Sequence, residues 1–250
     1  MDIQQPNFYS VIIGTELLNG RRRDRHFEFI NNELLQRGFE QKASFIIDDD
    51  PKFMEDIFRF IKNDKNSVMF SFGGIGATPD DYTRDVAAKV FRDGKMEQNQ
   101  QAKELILQRF GNDSYPHRIN MANLPVNSGL LDNIVTNVPG FYLDKRFFFT
   151  PGFPSMAHHM VKQALDRYYP KGYNKYKKVL TALTSENTLI DVMHQLDKEI
   201  ELSSLPQIEG SIRKTVIHLS GYNSIIVEEN FELFVNFLKK EKIEFNLGDK

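Results

Sequence analysis

The chain has 250 residues, 40% of them hydrophobic, enough for one large domain or two unequal ones. A net charge of −2 excludes the bulk positive field of a nucleic-acid or membrane-surface binder, and the absence of cysteine excludes disulfides, thiolate metal sites and a thiol nucleophile. No apolar run reaches the roughly 18 residues that span a bilayer, and the first residues lack the regions of a signal peptide, so the expected setting is cytoplasmic, with no membrane and no nucleic acid as partner.

Phe8 to Ile13 reads as a strand ending in Gly14-Thr15-Glu16-Leu17-Leu18-Asn19-Gly20, followed by Arg21, Arg22, Arg23 and Arg25. Apolar residues at 27, 30, 34 and 35 form one helical face, closed by Gly38. Ala43–Ile47 reads as a second strand, stopped by Asp48-Asp49-Asp50-Pro51, and Phe53, Ile57, Phe60 and Ile61 form a second helical stripe. Ser67–Phe72 reads as a third, buried strand, and Val86, Ala87, Val90 and Phe91 recur at helical spacing after Pro79. This alternation predicts an α/β fold with a mostly parallel sheet and helices on both faces. Gln98–Phe110 reads as helical and 111–133 as irregular. Phe141–Leu143 and Arg146–Thr150 are expected to pair antiparallel, and Pro154 opens a helix to about Tyr168. The basic, aromatic stretch 169–178 reads as a linker between a first domain over 1–170 and a small α+β domain over 176–250. In that second domain Val179–Leu183, Val216–Leu219 and Ile225–Glu228 read as strands, and Leu189–Ile200 and Phe231–Lys240 as helices.

The chemistry concentrates at strand ends. Gly73-Gly74-Ile75-Gly76 lies between a strand and a helix, where free backbone N–H groups can meet an anion. It lacks the Lys-Ser/Thr of a Walker loop and the third glycine of a dinucleotide fingerprint. Thr78-Pro79-Asp80-Asp81 follows. A capping box, with Pro79 at the first helical position, explains Thr78 and Asp81 but leaves Asp80 and the glycines unexplained. Two carboxylates beside such a turn suit a magnesium ion bridging to a diphosphate. Glu16 and Asp24 lie in the loop after the first strand, on the edge where open α/β sheets bind ligands, so Glu16, Asp24, Asp80 and Asp81 are expected to converge. Asp24 has helix capping as its bland explanation, and the arginines have solvation. Pro151-Gly152-Phe153-Pro154 is another glycine turn between strand and helix. His158 and His159 point about 100° apart on a helix and read as ordinary helix residues.

These stretches together resemble the MoaB/MogA-type molybdopterin-binding fold in its CinA N-terminal branch. "IGTELLNGRRRD" resembles the family's first loop. "GGIGATPDDYT" is similar to its GGxGxTxDDxT, with Ala77 where proline is usual. "RINMANLP" and "NVPGF" resemble later segments, and "TPGFPSM" its PGxPxEM with Ser155 in place of Glu. "TSENTL" and "PQIEGS" resemble the small domain that follows in CinA-like proteins. Thr15 and His26 also depart from the family's usual residues. The resemblance implies a three-layer α/β/α sandwich that binds a nucleotide or pterin. It also implies divalent-metal-dependent cleavage of a nucleotide diphosphate such as ADP-ribose or FAD, without the amidase domain of longer relatives. The residues expected to act on substrate are Glu16, Asp24 and Asp81. Those expected to hold ligand are Gly14, Thr15, Arg21, Gly73, Gly74, Ile75, Gly76, Thr78, Thr83, Pro151, Gly152 and Pro154. Asp24, Asp80 and Asp81 are expected to hold magnesium, cobalt or manganese, with molybdopterin as an alternative ligand. A binding module without turnover and a paralogue acting through protein contacts are the competing expectations, and a homo-oligomer is the expected assembly.

Overall fold

The structure, a computed structural model, describes residues 6–172, 175–209 and 212–248. They divide into two compact units, one up to Gly172 and one beyond it.

The first unit runs β1 (Asn7–Ile13), α1 (Thr15–Leu18), α2 (His26–Gln36), β2 (Gln41–Ile47), α3 (Pro51–Asn63), β3 (Ser67–Phe72), α4 (Thr83–Phe91), β4 (Met96–Gln98), α5 (Gln100–Phe110), β5 (Asn123–Pro125), β6 (Gly129–Leu131), β7 (Gly140–Leu143), β8 (Phe147–Thr150) and α6 (Pro154–Tyr168). Six strands form one sheet in the order β2-β1-β3-β8-β7-β6. β2, β1, β3 and β8 are parallel, and β7 pairs antiparallel with β8 and with β6. The strand period of two sorts side chains to the two faces. Tyr9, Val11, Ile13 and Met69 join Phe58, Ile61 and Val86 of α3 and α4 on one face. Phe8, Ile12, Phe70 and Phe72 join Ile30, Leu34 and Val161 of α2 and α6 on the other. The result is the expected α/β/α sandwich. With no tryptophan in the chain, phenylalanine fills both faces: Phe70 stacks on Phe148 at 4.9 Å on one and Phe141 on Phe149 at 4.5 Å on the other. The region 111–133 is more ordered than expected, because β5 pairs with β4 and β6 with β7.

The second unit runs β9 (Tyr176–Ala182), α7 (Ile190–Met193), β10 (Glu201–Glu209), β11 (Ile212–Gly221), α8 (Ser224–Lys240) and β12 (Phe245–Leu247). Its four strands form an antiparallel sheet in the order β10-β11-β9-β12, with Phe231, Phe234 and Leu238 of α8 packed on Leu180, Ile217 and Leu219. Two expectations fail here. Ile225–Glu228 is not a strand but the first turn of α8, because the Asn223 side chain accepts from the Ile225 and Ile226 N–H groups and starts the helix. Leu189–Ile200 is helical only over the short α7 and the 3₁₀ turn before it. Asn230 accepts the Asp197 N–H at 2.8 Å and Asp197 accepts the Glu199 N–H at 2.9 Å, so side chains take bonds that a helix would have made.

The linker is narrower than 169–178. Tyr169 packs edge-on against Phe8 at 5.4 Å, the Gly172 N–H donates to the Arg37 carbonyl at 2.6 Å, and β9 already begins at Tyr176. Tyr173 and Asn174 of that stretch, and Gly210 and Ser211 of "PQIEGS", lie outside the described residues. Among the described residues no helix is long and apolar enough to cross a membrane.

Candidate functional site

Three loops meet at the C-terminal ends of the adjacent strands β1, β3 and β8. After β1, Thr15 is fixed by a residue of the neighbouring loop: its N–H and Oγ1 donate to Asp49 Oδ2 at 2.9 and 2.8 Å. The Thr15 hydroxyl adds a side-chain donor to the bond that the backbone N–H makes with the same oxygen. Asp49 was legible only as part of a strand stop. Glu16 pairs loosely with Arg22 at 3.6 Å, and both are well exposed. Asp24 comes close to the bland reading: from the position before the N-cap Arg25, its two oxygens accept the His26 and Phe27 N–H groups of the first turn of α2 at 2.8 and 3.0 Å.

His26, noted in the sequence only as a departure, is buried, with its ring stacked on Phe72 at 4.3 Å. Its Nε2 lies 3.3 Å from the Gly152 carbonyl oxygen. Burial pushes its pKa down to about 4, against the opposing pull of that carbonyl, so the ring is neutral near pH 7. His158, on α6, stacks on Phe29 at 3.7 Å and meets His26 edge-on at 5.4 Å, and burial lowers its pKa as well.

After β3 the chain makes the tightest turn of the site. Gly73 and Gly74 have φ of +105° and +67°; an added Cβ would sit 2.6 Å from the Ile13 carbonyl oxygen at the first and 2.4 Å from Thr83 Oγ1 at the second. At Gly76 it would meet Asp81 Oδ2 at 2.6 Å. Thr83 is fully buried; its Oγ1 donates to the Gly73 carbonyl at 2.9 Å and its N–H to the Gly74 carbonyl at 3.0 Å. Asp81 accepts from the Thr78 N–H at 2.8 Å and from its hydroxyl. Hydrogen bonding to Thr78 and to its own backbone N–H holds the Asp80 carboxyl below the usual range. The Thr78–Asp81 pairing is therefore real, but α4 starts only at Thr83, so Pro79 is not its first residue.

After β8, Gly152 comes within 3.5 Å of the Gly73 Cα, measured from an added Cβ, and its carbonyl accepts from Arg22 Nη2 at 3.2 Å. The Arg22 guanidinium lies 5.5 Å from the centre of the exposed Phe153 ring.

A cavity of about 630 Å³ opens between the β1 and β8 loops. Of the expected site residues, Glu16, Arg21, Asp24, Gly152 and Pro154 line it, together with Arg22, Arg23, Arg25, His26 and Ser155. Gly14, Thr15, Gly73, Gly74, Ile75, Gly76, Thr78, Thr83, Asp80, Asp81 and Pro151 do not. The expected convergence of four carboxylates is thus not met in this structure. Among the described residues no three of His, Asp and Glu come together in a group able to hold a metal ion. Asp24 spends both oxygens, and Asp81 its Oδ2, on N–H and O–H groups of their own loops. The residues present do not fit the set Asp24, Asp80 and Asp81 as a magnesium, cobalt or manganese site.

The model of a probable molybdopterin binding domain matches residues 10–170. The chain belongs to that family. The match covers the first unit, including all three loops of the site. A protein of Pyrococcus furiosus is 28% identical over 257 residues, which covers 95% of this chain and 98% of its own length. A CinA-like protein of Fusobacterium nucleatum is 29% identical over 165 residues, 65% of this chain and 40% of that protein. Among solved structures, the CinA protein of Thermoplasma acidophilum, described as of unknown function, covers 64% of this chain and 97% of its own at 27% identity and a TM-score of 0.58. This molybdopterin-binding-type domain is thus CinA-like in both sequence and fold.

Proposed function

We propose that the first unit binds a small phosphate-bearing molecule, a pterin or a nucleotide, at the cavity beside the β1 and β8 loops. The observation that carries this reading is the charge of the cavity wall. Arg21, Arg22, Arg23 and Arg25 face only Glu16 and Asp24, and among the described residues neither Arg23 nor Arg25 is ion-paired. Unpaired guanidinium groups at a concave surface favour a phosphate through charge-assisted bonds. The volume falls within the range of roughly 300–1,000 Å³ usual for small-molecule sites. Membership of the molybdopterin-binding family supports a pterin-type ligand.

Hydrolysis of a nucleotide diphosphate such as ADP-ribose or FAD is a second reading, and Glu16 favours it. Its carboxylate lines the cavity and, among the described residues, accepts no backbone N–H. It is therefore the wall carboxylate left to take a proton from an attacking water. The test is calorimetric titration with ADP, ADP-ribose, FAD and a pterin phosphate, followed by product analysis with and without magnesium, manganese or cobalt. Binding without products supports the module. Products that vanish in Glu16→Gln support the hydrolase. No binding of any probe overturns both.

A further inference from the structure

The turn after β3 has its four carbonyls held from one side. Thr83 Oγ1 holds that of Gly73, and the Thr83 N–H holds that of Gly74. Arg84 Nη1 donates to both the Ile75 carbonyl and, at 2.6 Å, the Gly76 carbonyl. All four bonds come from the first two residues of α4. A trans peptide points its N–H opposite its carbonyl. The N–H groups of Gly74, Ile75, Gly76 and Ala77 are therefore turned away from α4, and among the described residues none of them has an acceptor. Successive N–H groups freed in this way make a concavity for an anion.

Arg84 itself is poorly placed for any other purpose. A cation in the first turn of a helix opposes the helix dipole. Burial lowers its pKa, with Asp81 and Asp85 as the nearby opposing charges, and neither carboxylate is bonded to the guanidinium. An arginine that meets burial and an unfavourable dipole while bonding only two carbonyls is explained by those two bonds.

We infer that Arg84 is a positioning residue: by holding the Ile75 and Gly76 carbonyls it sets the Gly76 and Ala77 N–H groups to receive a phosphate oxygen of the ligand. This rests on the phosphate-binding reading above, and it adds a second place where the same ligand is held, next to the arginine-lined cavity through the contact of Gly73 with Gly152. Thr83 does for the Gly74 and Ile75 N–H groups what Arg84 does for the next two. The sequence placed Thr83 among the ligand contacts; its burial makes it a brace instead.

The experiment uses the full chain labelled with ¹⁵N, with inorganic pyrophosphate and ADP as probes and no metal added. In ligand-free Arg84→Met the amide signals of Gly76 and Ala77 shift and broaden, and affinity for both probes falls about ten- to a hundredfold. Arg84→Lys keeps the charge but its single ammonium serves the two carbonyls less well, so the same signals move less and affinity falls about threefold. That variant carries the test if the methionine chain does not fold. Unchanged Gly76 and Ala77 signals in the ligand-free variants overturn the inference, whatever happens to affinity, because peptides that Arg84 holds in place cannot keep their amide environment without its two bonds. If the wild-type chain binds neither probe while those signals move, the ligand reading falls and the brace stands.

Discussion

The loop after β1 and the turn after β3 sit at neighbouring strand ends and use their polar groups in opposite ways. The first keeps charge in reserve: four arginines surround a cavity, Glu16 is held only by a loose pair, and exposed side chains dominate its wall. The second spends its side chains on its own bonding. Thr78, Asp81, Thr83 and Arg84 are all bonded to each other or to the turn's own backbone, and only backbone N–H groups are left over. The first loop is therefore expected to tolerate substitution in its fold and suffer in binding. The second is expected to suffer in its fold first.

The largest effect is expected at Gly74. Valine there requires φ near +67° and places Cβ 2.4 Å from Thr83 Oγ1, in a buried position that cannot yield. Positive φ and overpacking together cost roughly 3 kcal/mol or more. Chemical denaturation of Gly74→Val should show a midpoint far below wild type, or no cooperative transition at all. At Gly20, also at positive φ, an added Cβ meets nothing within 4 Å, so Gly20→Ala should cost only about 1 kcal/mol. Equal losses at the two glycines would break the comparison.

An acid-sensitive group sits where the two regions meet. The folded-state pKa of His26 is about 4 against an ordinary 6.5. Above pH 6.5 the ring is neutral folded or unfolded, and contributes nothing to the pH dependence. As pH falls from 6.5 to 4 the unfolded chain takes up a proton that the folded chain refuses, so stability falls. The whole span is worth about 3 kcal/mol, and the loss levels off below pH 4. Urea midpoints at pH 7 and pH 4.5 should fall less between the two conditions in His26→Asn than in wild type. An identical fall in both chains would remove His26 as the cause.

The arginine loop sharpens the contrast from the other side. Arg22→Ala with Arg23→Ala should weaken pyrophosphate binding about tenfold to a hundredfold at low ionic strength, with a smaller loss as salt is added. The melting temperature should stay within about 1 °C, since exposed charges contribute little to folding. Calorimetry and thermal melts on one preparation check both halves. A large drop in melting with unchanged affinity would make this loop a structural element like its neighbour.

Legibility in the sequence follows the length scale of the signal. The strands and helices that build the sandwich were readable because each buries a periodic face of phenylalanine, isoleucine and valine. The three-residue strands β4, β5, β6 and β12 were not, since a period of two barely repeats within them. β10 was hidden for another reason: its residues from Glu201 to Ile208 are mostly exposed and show no buried alternation. At the site, glycine spacing and the family's motif marked the loops that meet at the ends of β1, β3 and β8. What they could not separate was the partner of each polar group. Asp24, Asp81 and Thr83 are the residue types that hold ligands and also those that cap helices and close turns, and only distances decide between the two.

The smallest predicted effect compares one carboxylate from each region. Asp24 uses both oxygens, each accepting one N–H of α2. An asparagine there keeps one acceptor and turns an NH₂ toward the second N–H, so one cap bond is lost and a donor faces a donor. Asp24→Asn should cost about 1 kcal/mol. Asp81 takes both Thr78 donors on the single oxygen Oδ2. An asparagine can set its carbonyl oxygen in that place and keep both bonds, losing only the charge assistance. Asp81→Asn should therefore cost less, about 0.5 kcal/mol. Paired denaturation curves in urea, at a pH where both aspartates are ionised, read the difference directly. A larger cost at Asp81 than at Asp24 would show that the turn after β3 relies on the negative charge itself, set against the nearby Arg84. In a chain found to hydrolyse a diphosphate, loss of turnover in Asp81→Asn without loss of stability would move Asp81 from the turn's own bonding to the reacting phosphate.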